Sequence, residues 1–417
     1  MNDTVIWIDA RQPGQRRVFG LSLLERVLRG VIESGLAVGR VEVALAPDAP
    51  EPDLRPDLAR ALPLHFTRTP GTAGGHIARV RREAEGAPLL AVSADSVIDP
   101  RLLTHLASAP KDQAFVEPEV HAGAALFRIG AEAADPSPEA DDLRTIAENG
   151  LARGDLTPVL EAEFNGYVQK LRREVGPYLF RIDGPETIAR VERFLFWSNY
   201  KGSTDFMTRY VYPPLVWALV RPLSHLRVHP NWITGVNWVA TFGCIPLFME
   251  GAWVPALACA YLMSVMDSVD GKLARLTYTS SRVGDVADHG LDIVHPPFWY
   301  MAWGYALGSG STESLPYQAA LAMFALYVID RIVTAIFRQK TGRSIHGATP
   351  LDVRMRTFIS RRNVNLAFFT VALAIDAVAG TSVVALATFY GIVAWQGFSL
   401  AWHAQRLVAF WGTRLSE

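Results

Sequence analysis

Cysteine is nearly missing from this 417-residue chain, and Cys244 and Cys259 are the two it has. Both lie inside apolar runs without Cys or His neighbours at metal-ligand spacing, which excludes a thiolate metal site and leaves them as small packing residues. A secretory leader is missing too: no Lys or Arg precedes Arg11, and the apolar run Val5–Ile8 is far too short for a signal core. The N-terminal half is therefore expected to stay in the cytosol. Net charge is scarce, at −1 from 40 Lys/Arg and 41 Asp/Glu, and this offers no overall field for nucleic acid. That neutrality hides two unlike halves. Residues 1–190 hold 22 Lys/Arg against 28 Asp/Glu, whereas residues 191–417 hold 18 against 13. The basic half is also the apolar one, with long runs from Trp232 onward, and that pairing points to a membrane. The chain exceeds the size of a single core, so at least two structural units are expected. They are a cytosolic domain over 1–190, a linker and interfacial segment over 191–228, and a membrane domain over 229–417.

From Val5 to Arg190 short β-rich runs alternate with helical patterns. Val5–Ile8, Val41–Leu45 and Leu89–Val92 read as strands, and Leu21–Ser34 and Ile77–Glu85 as helices, with a Pro-rich stretch between. That order predicts an α/β domain with a mostly parallel sheet. Gly71-Thr72-Ala73-Gly74-Gly75 lies before the second helix, where backbone N–H groups can receive a phosphate, although a plain turn is the preferred reading. Near residue 180, YLFRIDGPETIARVERFLFW reads as a last strand, a turn at Gly184-Pro185 and a helix leading away.

Six apolar stretches, 232–250, 253–275, 285–307, 315–337, 364–381 and 383–405, each approach the length that crosses roughly 30 Å of hydrocarbon. An even number puts both ends on one side. Segments 250–253, 307–315 and 380–383 contain no Lys or Arg, whereas 338–362 contains Arg338, Lys340, Arg343, Arg354, Arg356, Arg361 and Arg362. The positive-inside rule then predicts an inner-membrane protein with that loop, both termini and the turn holding Arg275 and Arg282 in the cytosol. Before the first stretch, Pro213, Pro214 and Pro222 interrupt a segment rich in aromatics and arginine too often for a straight spanning helix, so an interfacial segment is expected.

Between Asp267 and Asp292 the chain reads DSVDGKLARLTYTSSRVGDVADHGLD, with five carboxylates near the cytosolic ends of two apolar helices. An Asp at the bilayer centre costs about 2.5–3.5 kcal/mol on insertion scales, so such a cluster needs compensation. Divalent metal supplies it, and hard oxygen ligands suit Mg²⁺ or Mn²⁺, with two ions matching four carboxylates. Asp267 and Asp270 are three apart, and Asp288 and Asp292 four apart, so each pair shares a helical face. Gly271 and Gly284 leave room for a nucleotide, and Arg275 stands where a pyrophosphate would lie. Asp285 reads as a first-turn helix residue, and His289 and His295 as packed or water-bonded histidines. Asp330 and Arg331 lie inside an expected span; as sequence neighbours they are not expected to face each other, which frees Arg331 for a substrate phosphate, with Arg338 a second candidate. An aspartate-lined divalent-cation transporter is the rival class, though an arginine beside a cation path is repulsive.

The whole pattern, Asp267-x2-Asp270-Gly271-x2-Ala274-Arg275-x8-Gly284-x3-Asp288-x3-Asp292, resembles the CDP-alcohol phosphotransferase signature at every fixed position. The resemblance extends over roughly residues 195–410, including HPNWIT ending at Thr234. It implies a six-helix membrane enzyme that moves a substituted phosphate from a CDP-alcohol to an acceptor alcohol and releases CMP. Under it, Asp267, Asp270 and Asp288 hold metal, Asp292 holds metal or serves as catalytic base, and Asp267, Gly271, Ala274, Arg275 and Gly284 surround the CDP group. The N-terminal half resembles the sugar-phosphate nucleotidyltransferases through Leu23-Leu24-Glu25-Arg26, Gly71-Thr72-Ala73-Gly74 and Asp95. That likeness makes Gly71, Gly74 and Asp95 candidates for nucleotide or metal. Where that family has a glycine-dense loop, this chain has DARQPGQRRVFG, with too few glycines to wrap a triphosphate. A domain that makes the CDP-alcohol from CTP and a degenerate, structural or regulatory module therefore both stay open. The combination, with KGSTDFMTRY at 201–210, is similar to bifunctional enzymes that make CDP-inositol and couple it to inositol phosphate. The expected acceptor is an alcohol, a polyol phosphate or a lipid, in phospholipid or inositol-phosphate synthesis. The bilayer is an expected partner, nucleic acid is not, and a homodimer is compatible with the pattern.

Overall fold

The computed structural model describes residues 4–12, 16–52, 54–84, 87–116, 125–130, 132–169, 171–280 and 282–413; the side chains of 161, 282, 283, 285, 287–289, 291 and 292 lie outside that description. The chain forms two compact units, Met1–Val168 with Glu174–Ser198, and Gln169–Arg173 with Asn199–Glu417. The helix expected to act as a linker thus belongs to the first unit, and the division falls after Ser198.

Unit 1 is built on seven strands, β1 (Thr4–Ala10), β2 (Val38–Leu45), β3 (Leu64–Thr67), β4 (Leu89–Ser93), β5 (Gln113–Val116), β6 (Ala125–Ile129) and β7 (Thr157–Pro158), in the order β7-β5-β6-β4-β1-β2-β3. The pairs β1–β2, β1–β4, β2–β3 and β5–β7 are parallel, and β6 alone runs antiparallel, against β4 and β5. Helices α1 (Leu23–Ser34), α2 (Pro56–Ala61) and α4 (Pro100–Ser108) cover one face, and α3 (Ala73–Glu83) and α5 (Leu143–Arg153) the other. Central β1 is apolar on both sides because both are covered: Ile6 and Ile8 pack with Val27, Leu28 and Val31, while Val5 and Trp7 pack with Ile77 and Val80. The expected α/β domain with a mostly parallel sheet is what forms. Helix α3 starts at Ala73, four residues ahead of the apolar pattern, because the Thr72 hydroxyl caps it by accepting the Gly75 N–H. Helix α6 (Pro185–Ser198) is held by buried Glu192, which accepts the N–H of Phe19 at 3.0 Å.

Unit 2 is helical, with α7 (Pro213–His225), α8 (Pro230–Met249), α9 (Trp253–Leu276), α10 (Arg282–Leu307), α11 (Leu315–Thr341), α12 (Pro350–Phe358), α13 (Arg362–Ala379) and α14 (Val383–Ala409). Among the described residues four segments are long and apolar enough to cross a membrane: α8, α11, α12 together with α13, and α14. They mark unit 2 as an integral membrane domain. The other two expected spans fold as α9 and α10, of 24 and 26 residues; α9 carries Asp267, Asp270, Lys272 and Arg275, so composition alone does not mark it. Helix α7 has 13 residues, about 20 Å at 1.5 Å per residue, too short to span. Aromatics fill the core between helices, with Trp303 stacked on Phe369 at a centroid distance of 4.2 Å. Helices α10 and α11 meet at Gly304, where a Cβ would come within 2.6 Å of Ala320 Cβ and of the Pro316 carbonyl oxygen.

Candidate active site

Helix α9 carries Asp267 and Asp270 on one face, yet the two carboxylates have different surroundings. Asp267 opens on a cavity of about 780 Å³ within unit 2, and its Oδ2 accepts from Arg362 Nη2 at 3.2 Å. Asp270 is buried; its Oδ2 accepts from the Thr234 hydroxyl of α8 at 3.0 Å and its Oδ1 from the Gly271 N–H at 2.6 Å. A buried carboxylate persists only with such donors. Arg275 lies over Gly271, since a Cβ there would sit 3.3 Å from Arg275 Nη1. The glycine gives the guanidinium room beside the helix backbone, and both residues line the cavity. Of the other nucleotide candidates, Ala274 and Gly284 sit on α9 and α10 outside the lining. Asp288 and Asp292 are on α10, as are Asp285 and His289, and the side chains of all four lie outside the described residues. Among the described residues no three His, Cys, Asp or Glu side chains converge as a metal cage.

Sequence reasoning did not single out Arg362, which the fold places at the centre of this wall. Its Nη2 reaches Asp267, its Nη1 reaches His295 Nε2 at 3.0 Å, and its Nε reaches Asn363 Oδ1 at 3.2 Å. Arginine only donates, so His295 Nε2 is an acceptor and its proton is on Nδ1. His295 is fully buried against Trp299.

Among the described residues the cavity wall is strongly basic: seven arginines and two lysines against Asp205 and Asp267. A cavity of that sign selects an anion. Arg331 and Arg338, the candidates for a substrate phosphate, both line it. Arg331 lies over the Tyr327 ring, 5.1 Å from its centroid, and contrary to the sequence expectation it contacts Asp330, from Nη2 to Oδ2 at 3.1 Å. Cβ atoms of neighbouring helical residues diverge, but an arginine is long enough to curl back. The Nε groups of Arg331 and Arg356 are buried without an acceptor among the described residues, and a buried N–H in that position favours an incoming anion.

His346, on the single turn Ile345–Gly347 between α11 and α12, accepts from Arg356 Nη1 at 2.8 Å through Nε2. Burial first, and then the cations of Arg356 and Arg361, hold its pKa well below the ordinary histidine value. The folded protein therefore keeps this imidazole neutral where the unfolded chain takes a proton. Its contribution to stability is fully present above about pH 6.5 and is lost as pH falls below that value. His346→Gln keeps an acceptor for Arg356 and does not titrate. The melting midpoint of the solubilised protein should fall more steeply between about pH 7 and pH 5 for wild type than for His346→Gln; parallel curves would contradict this assignment.

In unit 1 the N–H groups at the start of α3 are already engaged. Ala73 donates to Asp141 Oδ1 at 3.2 Å, Gly74 to the Ala140 carbonyl at 2.8 Å, Gly75 to the Thr72 hydroxyl at 3.2 Å and His76 to the Thr72 carbonyl at 3.0 Å. All four N–H groups therefore find their acceptors within unit 1. The Gly71 carbonyl accepts from Arg11, whose guanidinium also binds Asp9 and Asp141. Gly74 is required by packing, since a Cβ would fall 2.0 Å from the Ser137 carbonyl oxygen. Asp95 pairs with Arg181 at 2.8 Å.

Unit 2 is thus a membrane-embedded helical domain whose cavity sets a carboxylate helix against a cluster of arginines. Residues 227–396 match the family model described as CDP-alcohol phosphatidyltransferase. A Thermococcus kodakarensis protein, a bifunctional IPC transferase and DIPP synthase, is 29% identical over 153 residues, 32% of this chain and 35% of that one. An uncharacterized class-I CDP-alcohol phosphatidyltransferase family protein of Schizosaccharomyces pombe is 27% identical over 118 residues, 24% of this chain and 30% of that one. The chain spans about a third of the length of these curated relatives. Among solved structures it is similar to a 4-diphosphocytidyl-2C-methyl-D-erythritol synthase, at 14% identity and a TM-score of 0.34 over 47% of this chain and 99% of that one. A 2-C-methyl-D-erythritol 4-phosphate cytidylyltransferase of Thermus thermophilus gives 18% identity and a TM-score of 0.29 over 46% and 98%.

Proposed function

We propose that this chain is a divalent-cation-dependent transferase that moves a substituted phosphate from a CDP-alcohol to the hydroxyl of a phosphorylated alcohol, with release of CMP. The observation that carries it is one cavity wall on which Asp267, Gly271 and Arg275 of α9 meet the arginines of α11 and of segment 356–362. Arg275 over Gly271 receives the pyrophosphate, while Ala274 and Gly284 leave the nucleotide room to approach. Arg331 and Arg338 hold the phosphate of the acceptor. The carboxylates of Asp267 and Asp270 are hard oxygen donors that fit Mg²⁺ or Mn²⁺, with Asp288 and Asp292 of α10 completing the set for two ions. Such ions, when bound, neutralise the pyrophosphate and stabilise CMP as leaving group. Asp292 takes the proton of the attacking hydroxyl; that oxygen bonds to the phosphorus bearing the donor alcohol as its bond to CMP breaks. Helices α9 and α10 cross the inner membrane beside the four marked segments, with both termini and the cavity on the cytosolic side.

The two activities of the Thermococcus relative support a second reading, in which unit 1 makes the CDP-alcohol from CTP. It would need a surface other than the start of α3. CTP with a polyol phosphate decides: pyrophosphate release supports a bifunctional chain, and its absence leaves unit 1 a structural or regulatory module. The main reading is tested with labelled CDP-inositol and inositol phosphate in vesicles carrying the full chain: CMP appearing only with Mg²⁺ or Mn²⁺ supports it. Metal flux without CMP would favour the transporter class.

A further inference from the structure

Helices α11 and α14 share a buried carboxylate–imidazole hydrogen bond that the transfer reaction does not use. Asp330 accepts at Oδ1 from His403 Nδ1 of α14 at 2.5 Å and at Oδ2 from Arg331 Nη2 at 3.1 Å. Asp330 and His403 are each 2% exposed, so neither exchanges partners with water. Arg331 reaches past them into the cavity wall. Behind His403 lies the ring of His346, 5.0 Å away, which accepts from Arg356, another residue of the same wall. Two buried imidazoles therefore meet edge to face between two arginines that line the cavity.

A helix contact made for stability alone is served better by apolar packing than by a desolvated carboxylate and imidazole. What the pair supplies is direction. An arginine has many rotamers, and an adjacent carboxylate restrains it only if that carboxylate is itself held in one rotamer. His403 does this by engaging Oδ1, which leaves Oδ2 turned to the guanidinium. We propose that Asp330 and His403 form a carboxylate–imidazole pair that positions Arg331 for the phosphate of the acceptor, with His403 a positioning residue that touches no substrate. The proposal rests on the reading of Arg331 as a phosphate ligand.

The test uses the full chain in detergent, with inorganic phosphate as the probe and an apparent Kd taken from the phosphate-dependent rise of the melting midpoint. Arg331→Gln should weaken phosphate about tenfold, the scale of one charge-assisted contact. His403→Leu should weaken it about fivefold to tenfold, and adding it to Arg331→Gln should weaken it no further, because it acts through that arginine. His403→Asn, whose amide nitrogen stands in for Nδ1, should bind as wild type does. Asp330→Asn should behave as His403→Leu and serves if the leucine variant does not fold. A purely structural His403 would lower the midpoint without phosphate and leave the Kd unchanged, which would overturn the proposal, as would additive weakening in the double variant. An Arg331→Gln protein with unchanged phosphate affinity would remove both this inference and the assigned role of Arg331. Intact phosphate binding without CMP release in any assay would instead defeat the transferase reading alone.

Discussion

Asp267→Asn and Asp270→Asn should each cut CMP release by about 10³-fold or more, with little change in melting midpoint, because each removes a charge and keeps the shape. The asparagine at 270 can still accept the Thr234 hydroxyl, so α8 and α9 stay joined. At 267 the neutral amide still accepts from Arg362 but no longer offers a hard anionic ligand to a divalent cation. Initial rates with labelled donor at saturating Mg²⁺, beside melting curves of the same preparations, check the pair. Turnover near wild type in either variant would mean that the motif holds no reacting group.

The next largest effect is expected at Arg362. Its Nε, Nη1 and Nη2 each meet a different acceptor, on Asn363, His295 and Asp267, and one planar fork holds all three in register. Arg362→Gln would leave the Asp267 carboxylate and the fully buried His295 without their shared donor. We expect kcat/KM to fall about 10²-fold, near 2.7 kcal/mol at the transition state, with a loss of stability of about 1–3 kcal/mol from the lost hydrogen bonds. Arg362→Lys should recover little, because an ammonium cannot reach three acceptors as a fork does. Recovery by lysine to wild-type rates would show that charge alone matters there. Steady-state kinetics and denaturation of the three proteins separate the outcomes.

What the sequence made legible follows from range. The pairing of Asp267 with Asp270 is a matter of helical pitch, and the room above Gly271 follows from one missing Cβ, so both were readable locally. Arg362 was not, since it meets Asp267 across 95 positions and in sequence is one cation of a basic loop. The partners of the Gly71–Gly75 segment were hidden for the same reason. Its N–H groups are taken by Ala140 and Asp141 as well as by its own Thr72, and nothing near residue 71 announces them. Contact between Asp330 and Arg331 was missed by reasoning from Cβ directions, which ignores the length of arginine. His403 carried no signal, because a histidine on an apolar helix reads as packing until its carboxylate partner on another helix is seen. The sheet was legible as α/β from alternating elements, though the reversal of β6 was not, because a short apolar run such as Ala125–Ile129 has no direction in sequence. Hydropathy found every long helix of unit 2, and the charge of its own motif is what keeps α9 from being marked by composition.

The most direct test is a titration of Mg²⁺ against CMP release from labelled CDP-inositol, with full-length protein in vesicles and inositol phosphate as acceptor. The account predicts no CMP without divalent metal, saturable release with it, and loss of that release when Asp267 is replaced by asparagine. CMP release of equal rate in metal-stripped buffer, or release indifferent to Asp267, would contradict it.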